Sequence, residues 1–456
     1  MNGCLPTGES MKFIPNECLI DEMLKEIGVS TIDELFTDIP SNLKVKQIPL
    51  PKGKTQQEVE QILRRLAQKN TSFHQMPIFL GGGVQFHYIP ALVSSILGRS
   101  EFFSSYTPYQ AEASQGFLQA MFEYQSMIAN ITGMEIANAS LYDGVTALGE
   151  AALMSYRITK RSTFYIPQNI SWEKRSILQN YVRGQGIFIK EVPYEKKTGL
   201  VDLHFLEKHI NEDTAGVYIE NPNYFGIFEQ EINQIQKVVS DHGSLFVVGT
   251  HPLSLGIVRS PGEYGADIVI GEGQSLGNPV DFGGSTLGIF ATKQKYLRHL
   301  PGRIIGMTTD NQGKPAFCMT MQTREQHIRR GRATSNICTN EGLNALAATV
   351  YLSWLGSNGL YQVGKRNLER AYEVKERIIA LSPFTSVFQG DHFNEFVVHY
   401  SGEKKHLQQI LQKHGVQGGL PLEPWFPELK KCYLFCVTEL HTDKDIEVLL
   451  KALKEA

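Results

Sequence analysis

The chain has 456 residues, 42% of them hydrophobic, with 44 lysines and arginines against 47 aspartates and glutamates. A formal net charge of −3 leaves no global electrostatic footprint for nucleic acid, and no apolar run approaches the roughly 20 residues of a membrane span. The opening MNGCLPTGES has neither the charged nor the apolar stretch of a secretory signal, so a cytoplasmic globular protein of two or about three domains is expected.

Residues 1–10 show no periodicity and no cap, and are expected to be dispensable. Apolar residues then recur at helical spacing over 18–27. Thr31 with Glu34, and Thr55 with Glu58, have the spacing of capping boxes, predicting a helix at 32–36 and another carrying Val59, Ile62, Leu63 and Leu66. Pro40, Pro49 and Pro51 separate these pieces, which makes residues 1–75 an arm of small helices without a core of its own.

Gly81, Gly82 and Gly83 break the chain, and Pro90 suits the first turn of a helix ending near Gly98. Thr107 must be extended because proline follows it. From Ala111 the pattern turns helical, with Phe117, Leu118, Met121, Phe122 and Ile128 inward and Gly133 as a stop.

Helices and strands then alternate: helix 144–158, strand 163–166, helix 171–183, strand 187–192, helix 202–210, strand 216–220, helix 229–240, strand 245–248, strand 267–270. A return strand is expected at 286–290. Strands separated by helices specify right-handed crossovers and a mostly parallel sheet. After Gly302 the alternation stops, and a basic segment leads into a helix at 341–355 and a second one ending at Leu381. Strand 395–400, helix 404–414, strand 432–438 and helix 443–454 complete a small α+β domain. The expected division is a large α/β domain at 76–335 and a linking helix with the small domain at 336–456.

Six cysteines, at 4, 18, 318, 338, 432 and 436, show neither a C-x-x-C pair nor a metal-ligand spacing. Cys432 and Cys436 would share one face of a strand as core thiols.

Several groups carry possible chemistry. Gly271-Glu272-Gly273 after a strand invites a dinucleotide reading, but the third glycine, Gly277, is one residue late and no helix follows. Asp143-Gly144 begins a helix, either as a phosphate seat or with Asp143 as a simple cap. The segment 221–226 ends a strand as ligand edge or turn, and His251 ends another as base, ring-stacking group or structural histidine. Arg324, Arg329, Arg330 and Arg332 form either an oxyanion grip or a solvated face.

Five segments in order, FLGGGVQFHYIPALV, YTPYQAEASQGFLQAMFEYQSMI, ASLYDGVTALGEAA, PGEYGADIVIGEGQSLG and ATSNICTN, resemble glycine dehydrogenase (decarboxylating), the P-protein of the glycine cleavage system. The resemblance is closer to subunit 1 of its split, two-chain form, and covers nearly the whole chain from about Met11. It implies an α/β fold of the pyridoxal-phosphate-dependent transferase type (aspartate aminotransferase type, fold type I), with a seven-stranded large-domain sheet and a small α+β C-terminal domain. It also implies a reaction in which glycine is decarboxylated on pyridoxal phosphate and its aminomethyl group passes to the lipoyl arm of the H-protein.

Such a cofactor needs a lysine on the loop after strand 267–270 and an acid near the end of strand 245–248. Between Arg259 and Lys293 there is no lysine, arginine or histidine, and the other strand ends in Gly249, Thr250 and His251. The expectation is therefore no catalytic, cofactor-binding or metal-ligating residue in this chain, with pyridoxal phosphate held by a homologous, lysine-bearing subunit 2 in a heterotetramer of two chains of each kind. Tyr106, Tyr109 and Gln110, with Ser335, Asn336 and Thr339, are the candidates for a cleft facing that partner. The alternatives are a non-enzymatic scaffold or regulator retaining the fold, and a self-sufficient enzyme using Lys293 or Lys314.

Overall fold

The structure is a computed structural model that describes residues 17–45, 48–104 and 106–456. Residues 1–10, Cys4 among them, lie outside the described part. The chain divides into two compact units, Met1–Thr71 and Ser72–Ala456.

The first unit holds helices α1 (Ile20–Ile27) and α2 (Gln56–Ala67). Helix α2 opens with the expected capping box: Thr55 accepts from the Glu58 N–H and the Glu58 carboxylate accepts from the Thr55 N–H. Ile32–Phe36 is a 3-10 helix, and Thr31 uses its hydroxyl as a donor to Glu34 rather than as a cap. Five residues are too few to offset helix nucleation without such a cap. Among the described residues of this unit only Leu24 is buried, and the apolar stripe Val59, Leu63 and Leu66 is exposed.

The second unit is built on a seven-stranded sheet. Its strands are β1 (Ile136–Ala137), β2 (Thr163–Pro167), β3 (Phe188–Val192), β4 (Thr214–Glu220), β5 (Leu245–Thr250), β6 (Ile268–Glu272) and β7 (Gly288–Thr292), in the spatial order β1-β7-β6-β5-β4-β2-β3. The pairs from β6 to β3 are parallel, whereas β7 runs antiparallel to both β6 and β1. Every residue of β4 and β5 is buried. Val217 and Ile219 enter one core and Tyr218 another on the opposite face, as expected of a sheet covered on both sides. The crossovers are made by helices that include α3 (Gly144–Thr159), α4 (Trp172–Val182), α5 (Leu203–His209) and α6 (Ile232–Asp241).

The helix expected from Ala111 is a short 3-10 turn followed by Gln115–Thr132, closed by Gly133 at φ 67°, a left-handed cap that favours glycine. After Gly302 comes an antiparallel hairpin that the periodicity did not indicate, Ile304–Thr309 with Pro315–Thr320. The two long helices are one element, Gly342–Ile379, broken at Gly356, whose φ of 60° and ψ of −175° are not helical. Beyond it lies a four-stranded antiparallel sheet containing Glu395–Tyr400 and Cys432–Cys436. Cys432 and Cys436 are free thiols in its buried strand. Among the described residues, no helix is long and apolar enough to cross a membrane.

Candidate functional site

In a parallel sheet, ligands sit outside the carboxyl ends of the strands. Here β4, β5 and β6 end in Glu220, Thr250 and Glu272. The Glu220 carboxylate accepts from the Tyr218 hydroxyl at 2.7 Å and from Lys174 Nζ at 2.6 Å. The Thr250 hydroxyl donates to the Asn221 carbonyl at 3.1 Å. His251 faces Gln85 Oε1 through Nε2 at 3.1 Å, with the His87 ring 5.6 Å and the Phe393 ring 5.3 Å away. Burial, reinforced by His87, lowers its pKa to about 3, so His251 is a neutral packed imidazole. The segment after β4 is a turn: Asn223 Oδ1 accepts from the N–H groups of Phe225 and Ile227.

The start of α3 carries the clearest electrostatic signature. Asp143 caps it, accepting from the Thr146 N–H at 2.6 Å. The next donor, Gly144 N–H, reaches Glu272 Oε2 at 3.0 Å, while Glu272 Oε1 accepts from Gln274 N–H at 3.0 Å and Leu287 N–H at 2.8 Å. A side chain at Gly144 would meet the Gly271 carbonyl at 3.0 Å, so helix and strand end meet closely there. Burial raises the Glu272 pKa to about 7 against the pull of these three donors. The anion seat that a helix N-terminus provides is thus filled by a carboxylate of this chain.

Lys174, Lys293 and Lys314 stand in different places. Lys174 reaches the strand ends but is held by Glu220. Lys293 follows β7, whose Thr292 pairs with Ile268 at the opposite end of β6, and its Nζ is bound by Asp267 at 2.7 Å and the Gly265 carbonyl at 3.2 Å. Lys314 lies at the end of the hairpin turn, its backbone N–H on Asp310.

The polar segments around 106–110 and 335–340 meet at another edge, through Arg303. Its Nη1 donates to Thr107 Oγ1 at 3.2 Å and Asn340 Oδ1 at 3.4 Å, its Nη2 to the Tyr109 hydroxyl at 3.3 Å, and the guanidinium lies 5.5 Å from the Tyr109 ring centre. Tyr106 is 82% and Tyr109 63% exposed, and Gln110 and Asn336 are also exposed. Ser335 and Thr339 are half-buried: Ser335 contacts the buried Glu150, and the Tyr142 hydroxyl accepts from the N–H groups of Cys338 and Thr339. The four arginines do not converge. Arg324 is committed to the carbonyls of Leu300, Gly302 and Met321, while Arg329, Arg330 and Arg332 are exposed. Sequence reasoning passed over Arg303 and Glu272. The signal for the first was a lone charge inside the apolar run LPGRIIG.

A family model described as the glycine cleavage system P-protein matches residues 11–453. The chain belongs to that P-protein family. It is 46% identical to a probable glycine dehydrogenase (decarboxylating) subunit 1 of Thermococcus onnurineus over 97% of this chain and 99% of the relative. It is 45% identical to the protein of that name from Carboxydothermus hydrogenoformans, over the same shares. A crystal structure of the glycine decarboxylase (P-protein) of the glycine cleavage system, in inhibitor-bound form, superposes with a TM-score of 0.89 at 39% identity, covering 98% of this chain and 100% of that one. A Burkholderia pseudomallei sphingosine-1-phosphate lyase, at TM-score 0.66 and 14% identity over 91% of this chain and 93% of its own, shares the fold alone. The fold is the α/β, pyridoxal-phosphate-dependent transferase fold, type I.

The loop after β6 has no lysine, Glu272 stands in the helix N-terminal seat, and β5 ends without a carboxylate.

Proposed function

We propose that this chain is the subunit of glycine dehydrogenase (decarboxylating) that works without a catalytic lysine of its own. Pyridoxal phosphate belongs to a homologous, lysine-bearing subunit 2, in an assembly of two chains of each kind. That assembly decarboxylates glycine and delivers the aminomethyl group to the lipoyl arm of the H-protein. The observation that carries this reading is Glu272: in a fold kept intact relative to a P-protein, the chain's own carboxylate fills the seat where an anionic ligand would be held. A carboxyl group held by three backbone donors occupies the N–H groups a phosphate would need.

Surfaces support a partner. Tyr106, Tyr109, Gln110 and Asn336 are exposed around Arg303, with Ser335 and Thr339 behind them, and the apolar stripe of α2 is uncovered on its own unit. Exposed aromatics of this kind are enriched where proteins meet. Tyr106, Tyr109, Gln110, Ser335, Asn336 and Thr339 line the face toward subunit 2.

The test is exchange of glycine's carboxyl carbon with labelled bicarbonate. The chain alone, supplied with pyridoxal phosphate and H-protein, should show none; adding the lysine-bearing homologue should restore it. Exchange by the chain alone would sink the reading.

A further inference from the structure

Two arginines among the described residues are buried, Arg303 at 4% and Arg370 at 8% exposed. Arg370 is neutralised, with Glu373 at 2.8 Å and Asp443 on its other Nη. Arg303 pairs with no described carboxylate: its acceptors are the neutral oxygens of Thr107, Tyr109 and Asn340. A guanidinium has five N–H groups, and these contacts use three of them. Nε and one proton of Nη2 remain, and Nε has no partner. Uncompensated charge in a desolvated position is strongly unfavourable unless something else supplies the counter-charge.

The surroundings show where that group would come from. Arg303 lines a small cleft with Gly302, Arg324, Thr334 and Ser335, with room for one water-sized group at most. Glu325 also borders it, with His327 Nδ1 at 3.5 Å and no ion pair to Arg303, and Arg324 is turned to backbone carbonyls. The neighbouring Tyr109 and Tyr106 are exposed, so the guanidinium is buried within this chain but lies directly behind its open edge.

We propose that Arg303 is a carboxylate-binding residue, whose spare Nε–H and Nη2–H receive a carboxylate that this chain does not contain. Guanidinium and carboxylate match as a two-pronged pair. Two sources have this chemistry: glycine itself, and an acidic side chain of the subunit that meets this edge. The binding chemistry stands on the chain alone; the choice of source rests on the function proposed above.

Three measurements decide it, using Arg303→Met and, as the charge-retaining variant, Arg303→Lys. With the full chain alone, sodium acetate should raise the melting temperature over equal sodium chloride by about 2 °C or more, as expected for a ligand that binds only the native state. Arg303→Met should abolish that shift, and Arg303→Lys, lacking the fork, should retain only part of it. In the two-chain complex, a rise of tenfold or more in the KM for glycine with unchanged assembly affinity assigns the carboxylate to glycine. A tenfold or greater loss of assembly affinity with unchanged KM assigns it to the partner. An acetate shift that is absent, or equal in wild type and Arg303→Met, overturns the proposal; so does a complex in which neither KM nor assembly moves. Because the acetate arm needs no activity, it decides the proposal even if no mixture catalyses exchange.

Discussion

The strand-end corner and the Arg303 edge of this molecule are built on opposite terms. At the corner, Glu272 collects three backbone N–H groups, Glu220 has Lys174 and Tyr218, and His251 is packed as a neutral ring. At the edge, Tyr106 and Tyr109 stand in solvent and a buried arginine keeps two unused donors. The corner is filled by the chain's own side chains, whereas the edge keeps a buried arginine with no carboxylate beside exposed aromatic rings.

The sharpest break of this contrast is Lys174→Met. Glu220, 5% exposed, would lose its cation in a desolvated place, and urea unfolding should show a loss of about 3 kcal/mol. A loss below about 1 kcal/mol would mean the corner is not an internally balanced unit.

Glu272→Ala comes next. Leaving the N–H groups of Gly144, Gln274 and Leu287 unmatched should lower stability by about 2 kcal/mol. Millimolar inorganic phosphate should recover part of it, because the reopened helix N-terminus accepts an anion. A variant indifferent to phosphate would refute the anion-seat description.

Glu150 links the two regions, since it is buried on α3 and hydrogen-bonded to Ser335 of the edge. Burial raises its pKa to about 7, with Ser335 and Arg157 pulling the other way. A carboxyl whose folded pKa lies above its unfolded value binds more protons when folded. It therefore removes stability as pH rises from about 4.5 to about 7 and has no further effect above. Denaturant unfolding of Glu150→Gln across that window should lose less stability than wild type, by on the order of 2 kcal/mol. Parallel curves would show that Glu150 does not titrate there.

The smallest structural effects belong to the edge. Asn336→Ala should change stability by less than about 1 kcal/mol, as exposed positions do, and Tyr109→Ala, which takes an acceptor from buried Arg303, by about 1 kcal/mol, yet each should lower the activity of the two-chain complex by tenfold or more. Full activity in both variants would reduce the edge to ordinary surface.

The helix and strand alternation was readable because parallel strands buried on both faces are short apolar runs, as in LFVV and IVI, set between amphipathic helices. The hairpin Ile304–Thr320 escaped because its strands are only partly buried and show no clean alternation, although Asp310–Gly313 is turn chemistry. The absent lysine could be seen by scanning one loop. What replaced it could not: Glu272 meets Gly144 across 128 positions, and Arg303 meets Thr107 across 196. Such pairings exist only once the sheet brings distant segments to one edge, so no local pattern announces them.

In the function proposed above, this chain carries the fold but not the cofactor amine. The direct test is borohydride reduction of the assembled two-chain complex with pyridoxal phosphate, followed by peptide mapping of both chains. The account predicts a pyridoxyl group on a lysine of the partner chain and none on this one; a pyridoxyl group on Lys174, Lys293, Lys314 or any other lysine of this chain would contradict it.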